Sequence, residues 1–100
     1  SIQAVIARNV SYDDREAVVS IVGSSGIRAN EMEQLFVATN WPELSSLGPE
    51  HRDARLGLLR WSCDTLATLE RGGTYHRFEL LALGLPATFI NGDEQGRSSS

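Results

Sequence analysis

Cys63, His51 and His76 are the residues of this chain best suited to nucleophilic chemistry. A thiol beside an imidazole makes a nucleophile and its base, provided the thiol sits in an electropositive, partly exposed setting. Cys63 instead shares three-four spacing with Leu56, Leu59 and Leu66. On such an apolar stripe a cysteine behaves as a small hydrophobe. Two histidines and one cysteine supply three zinc ligands, and a carboxylate would have to complete the set. The acid pairs Asp13-Asp14 and Glu31/Glu33 fall at expected helix starts, where the helix dipole favours negative charge. Asp93-Glu94 lies in the polar tail. Gly23-Ser24-Ser25-Gly26 lacks the lysine of a phosphate loop and reads as a turn. No Walker sequence, dinucleotide fingerprint, zinc-protease helix or calcium loop occurs. The expectation is therefore no catalytic residue, no cofactor and no metal.

The elements that carry these residues read as helices. Ile2, Val5, Ile6 and Val10 recur at helical spacing, with Ser1 available as a cap, so residues 2–9 are expected to be helical. Ser11 opens a second segment, with Asp14 at the reciprocal position of a capping box and Ala17, Val18, Ile21 and Val22 as its apolar stripe. Gly23 to Gly26 ends it. Asn30 is expected to cap a third helix, with Glu33 as its reciprocal partner and Met32, Leu35 and Phe36 facing inward. Pro42 disfavours helical geometry at Trp41, so this helix should stop near Asn40. A short helical turn with Pro42 at its first position follows, pinned by Trp41, Leu44 and Leu47. Residues 49–71 make the longest expected helix, with Trp61 widening its apolar surface and Gly72-Gly73 stopping it. Thr74 is expected to cap a last helix over residues 75–83, with Tyr75, Phe78, Leu81 and Ala82 inside. Residues 87–90 are expected to pack back on the bundle as an extended apolar segment. Brief turns between helices imply antiparallel neighbours. The fold class is thus all-α, a compact antiparallel bundle of five to six helices over residues 1–90. Residues 91–100 are expected to be a flexible tail or linker. The core is expected to hold Ile6, Val18, Ile21, Leu35, Phe36, Leu44, Leu56, Leu59, Cys63, Leu66, Phe78 and Leu81.

Composition narrows the function classes. One hundred residues suit one domain, and 41% hydrophobic with 22% charged residues suits a globular chain. Net charge is −4 and the isoelectric point is near 5.0. That balance disfavours both nucleic acid and an anionic membrane as partners. A single cysteine forms no internal disulfide, and a cytoplasmic setting is expected. Charge is unevenly placed: Arg52, Arg55, Arg60, Arg71 and Arg77 make the C-terminal half basic, while Asp13, Asp14, Glu16, Glu31, Glu33 and Glu43 make the first half acidic. Opposite-signed faces dock onto one another. Arg52, Arg55, Arg60, Arg77, Glu31 and Glu33 are accordingly the expected partner-binding residues. Reversing Arg52 and Arg55 is expected to weaken assembly without unfolding the domain.

The segment order resembles the death-fold superfamily over about residues 2–86. Residues 2–9 and 11–22 match the broken first helix of its caspase-recruitment branch, and residues 42–47 match its small third helix. Leu58-Leu59-Arg60-Trp61-Ser62 is similar to the leucine-Arg-Trp run of bacterial effector-associated domains. The resemblance implies a non-catalytic recruitment or adaptor domain, excised from a larger bacterial signalling or anti-phage defence protein. Its implied partner is a protein, either a second copy or a fused or operon-encoded protease or ATPase. The alternative is a small helix-turn-helix transcriptional regulator, since residues 17–22, a turn and residues 30–40 have that spacing. Its recognition helix would open with Glu31 and Glu33, which suit DNA poorly.

Overall fold

The computed structural model describes residues 1–69 and 74–85. The expectations for residues 70–73, for the extended segment 87–90 and for the tail 91–100 lie outside the described residues, as does the side chain of Tyr75. The described chain is helical throughout, and the all-α class read from periodicity holds.

The first helix, α1, runs Ile2–Asn9 and buries Val5 and Ile6. Ser1 caps it by accepting from the Ala4 amide at 3.3 Å. Val10 ends it in an extended conformation and is itself buried. The orphan carbonyls at this end need donors. Arg15 supplies them, its Nε donating to the Val10 carbonyl at 3.1 Å and its Nη2 to that of Ala7 at 3.0 Å.

A 3₁₀ turn, Tyr12–Asp14, leads into α2, Arg15–Gly23. The capping box expected here does not form: neither the Ser11 nor the Asp14 side chain caps a helix, and Asp14 is buried for another purpose described below. Val18, Ile21 and Val22 form the inward stripe. Gly26, at φ +76°, turns the chain in the left-handed region that other residues enter at a cost.

The third helix, α3, is Ala29–Ala38. Its cap is Arg28, two residues before the expected one. The Arg28 amide donates to the Glu31 carboxylate at 3.2 Å, so Glu31 and not Glu33 takes the reciprocal position. The Asn30/Glu33 and Arg28/Glu31 pairs share one spacing, and burial of Glu31 at 7% exposure selects the second. Met32, Leu35 and Phe36 are buried.

Asn40 then adopts φ 57° and ψ 45°, and α4, Trp41–Ser45, begins at once. The break therefore falls at Asn40, and Trp41 is already helical with Pro42 second. Asparagine tolerates the left-handed region better than most residues. Trp41 is fully buried, its ring 5.4 Å from that of Phe36 and tilted by 45°.

A second 3₁₀ turn, Pro49–His51, opens into α5, Arg52–Thr68. The helix is shorter than expected at its far end, where Leu69 turns extended. The last helix, α6, is Thr74–Leu83, with Thr74 as its first residue and Ala82 exposed rather than inside.

Helix α1 packs on α2 and α3, α2 on α5, α5 on α6, and α6 back on α3. These contacts close a ring of five helices around one core, with α4 attached to α3. All the expected core residues are buried except Leu56, which is half-buried against the cluster. Met32 and Trp41 join them in full burial. Each fully buried aliphatic or aromatic side chain contributes about 1.5–3 kcal/mol. Among the described residues, no helix is long and apolar enough to cross a membrane.

Candidate functional site

The residues singled out for chemistry do not come together. Cys63 is 1% exposed within the core. Burial pushes its thiol up from 9.0 to about 11; a hydrogen bond with Ser25 pulls it down and Asp64 pushes it up further. A thiol so held carries no useful thiolate near neutral pH. His51 lies in the turn before α5, where its ionic neighbour is Glu50 at 3.9 Å. His76 is exposed on α6. Among the described residues, no group of three His, Cys, Asp or Glu side chains is placed to hold a metal ion.

Five of the six residues expected to bind a partner, all but Arg60, make ion pairs within the domain. Asp14 is fully buried. Its Oδ2 accepts from Arg55 Nε at 2.8 Å, and its Oδ1 from Arg52 Nε at 3.1 Å. The Arg55 side chain is 6% exposed, and its Nη1 also donates to the Leu47 and Gly48 carbonyls at 3.3 and 3.1 Å. One guanidinium thus ties the α1–α2 turn and the loop before α5 to the body of α5. Arg52 keeps 41% of its side chain in solvent. Reversing Arg55 would place a carboxylate against buried Asp14, so the expectation that this change spares the fold is withdrawn.

Glu31 and Arg77 form a second internal pair. Arg77 Nη1 donates to Glu31 Oε2 at 2.9 Å, and Arg77 Nη2 to the Leu66 carbonyl at 2.8 Å. The pair joins α3, α6 and the end of α5. Glu33 pairs with Arg8 on the surface, both side chains about half exposed. Of the six residues expected to bind a partner, Arg60 alone is exposed without a carboxylate partner among the described residues.

What the surface offers instead is apolar. Val37 is 80% exposed, Leu83 82%, Leu80 43% and Trp61 40%. Leu80 and Leu83 lie on α6, Val37 on α3 and Trp61 on α5, the two helices that flank α6. Trp61 reaches α6 itself, its Cη2 lying 3.9 Å from where a Cβ on Gly84 would sit. Tyr12 and Val19 are the other large hydrophobics exposed in the described chain.

Between α3 and α6 runs an open groove of about 970 Å³. Val37, Ala38, Phe78 and Ala82 line it with apolar surface, and Glu33, Gln34 and Glu79 with polar groups. A smaller depression of about 450 Å³, also lined by Glu33 and Val37, lies toward Arg8, Asn40 and Pro42. The spacing Asn30, Glu33, Gln34, Val37, Ala38 marks this as one face of a helix. Periodicity pointed the inward stripe of α3 correctly but gave no sign that Val37 on its outer face would border a groove. No known family, curated protein or solved structure matches the chain.

Proposed function

We propose that the chain is a non-catalytic recruitment or adaptor domain of the death-fold type, acting in the cytoplasm as part of a larger bacterial signalling or defence protein. The observation that carries this reading is the gathering of Val37, Leu80, Leu83 and Trp61 around α6. Exposed apolar groups clustered on neighbouring elements are a mark of docking surfaces. Cys63 supports it from the other side, since burial keeps the thiol protonated and offers no thiolate nucleophile near neutral pH. The helix-turn-helix alternative is weakened by the outward face of α3, which presents Asn30, Glu33, Gln34 and Val37 and no basic residue to a phosphate backbone.

The test is light scattering after size exclusion, over a range of protein and salt concentrations, on the parent chain and on Leu83→Asp and Val37→Asp. Assembly that these changes abolish, with circular dichroism unaltered, is the result expected for homotypic recruitment. A monomer at every concentration moves the reading to a different protein partner, such as a fused or operon-encoded protease or ATPase. Binding of such a partner that neither substitution weakens would refute the α6 surface as the recruiting face.

A further inference from the structure

The described surface carries an imbalance that the amino-acid count hides. Arg55 is buried, and Arg8, Arg52 and Arg77 are all held by carboxylates of the same chain. Arg15 donates to two backbone carbonyls. Arg28 and Arg60 are the exposed guanidiniums left over among the described residues. Against them stand Asp13, Glu16, Glu43, Asp53, Asp64 and Glu79, exposed and without an arginine partner among the described residues. Internal pairing has used Arg52, Arg55 and Arg77 to hold the fold and left the described surface mostly acidic.

The groove between α3 and α6 concentrates both properties. Val37, Phe78 and Ala82 give it an apolar lining; Glu79 on α6 puts a carboxylate without a described ion-pair partner on one wall, while Glu33 on the α3 wall is already paired with Arg8. Leu83, 82% exposed, stands one turn beyond Glu79 on α6. Walls made of two helices suit a third helix laid between them, with anchors at i, i+3 or i+4, and i+7. The described surface of a second copy would bring mostly carboxylates toward Glu79, and like charges across an interface oppose association.

We infer that the α3–α6 groove is the docking site for an amphipathic helix of another protein, one that carries lysine or arginine beside its apolar face. This rests on the recruitment reading and adds to it a site and a partner chemistry. The apolar face of the incoming helix covers Val37 and Ala82, and its basic edge meets Glu79.

The experiment uses two synthetic helical peptides with the same leucine face, one edged with lysine and one with glutamate. Each is titrated into the isotope-labelled 100-residue chain and followed by amide chemical shifts. The expected result is binding of the lysine peptide with shifts confined to α3 and α6. Glu79→Arg weakens that binding roughly tenfold and improves binding of the glutamate peptide, as one charge pair across an interface would. Val37→Asp weakens both peptides. Equal binding of the two peptides, or binding that ignores Glu79→Arg, overturns the inference. Shifts centred on α2 and α5 also overturn it, while leaving the recruitment reading to the scattering experiment. Self-association abolished by Val37→Asp assigns the groove to a second copy. Binding seen only when the chain is ended at residue 85 assigns it to this chain's own C-terminal segment. Either outcome refutes a foreign helix as the occupant.

Discussion

Removing the Asp14 carboxylate is the most severe single test of how this domain is held together. Asp14 is fully buried between Arg55, 6% exposed, and Arg52, 41% exposed. Asp14→Ala leaves the Arg55 guanidinium in the interior with only the Leu47 and Gly48 carbonyls for company. Breaking a buried pair by deleting one partner costs about 3–5 kcal/mol, because the remaining charge stays buried. A domain of this size is stable by about 5–15 kcal/mol, and each kcal/mol shifts the melting midpoint by about 4–8 °C. Asp14→Ala therefore lowers the midpoint by about 12 °C or more. Arg55→Ala falls in the same range, since it leaves buried Asp14 with Arg52 as its one arginine and takes the donor from two carbonyls. Arg52→Ala costs about 1 kcal/mol or less, because solvent screens a pair that is half open to water. Urea unfolding followed by far-ultraviolet circular dichroism gives all three values, and a double-mutant cycle on Asp14 and Arg55 isolates their coupling. An Asp14→Ala variant within about 1 kcal/mol of the parent would refute the reasoning. So would an Arg52→Ala variant that matches Arg55→Ala.

Three further outcomes follow from the core and the turns. Burial keeps Cys63 protonated in the folded chain up to about 11, while the unfolded thiol ionises near 9.0. The unfolded state thus loses its proton first, and stability falls as pH rises through that window, by up to about 1.4 kcal/mol per pH unit. Unfolding midpoints on either side of the window should show the fall, and Cys63→Ala should remove it. Trp41→Ala empties a fully buried site beside Phe36 and lowers unfolding free energy by about 3–5 kcal/mol, measured by urea titration. Gly26→Ala, forced to φ +76°, destabilises by about 1 kcal/mol. Gly23→Ala, at a helical position with open space, is neutral or stabilising by up to about 1 kcal/mol, and thermal melts of the pair check both signs.

By itself the sequence determined the fold class, because the period of Ile, Leu, Val and Phe and the positions of Gly23, Gly26 and Pro42 are local properties that survive in any context. The same periodicity placed Cys63 in the core and so argued against its use as a nucleophile. It erred where two local readings compete. Asn30/Glu33 and Arg28/Glu31 offer the same spacing, and only the burial of Glu31 against Arg77 decided between them. Arg52 and Arg55 stand one turn apart and were visible as a basic face, but which side of α5 that face meets is not a local property. Asp14 lies 38 and 41 residues away along the chain, and only packing of α2 on α5 brings it there. The Arg55 guanidinium read as a docking charge became an internal tie for the same reason. Tertiary structure alone decided which charges remain for a partner, and it alone set Val37 and Glu79 on facing walls of one groove.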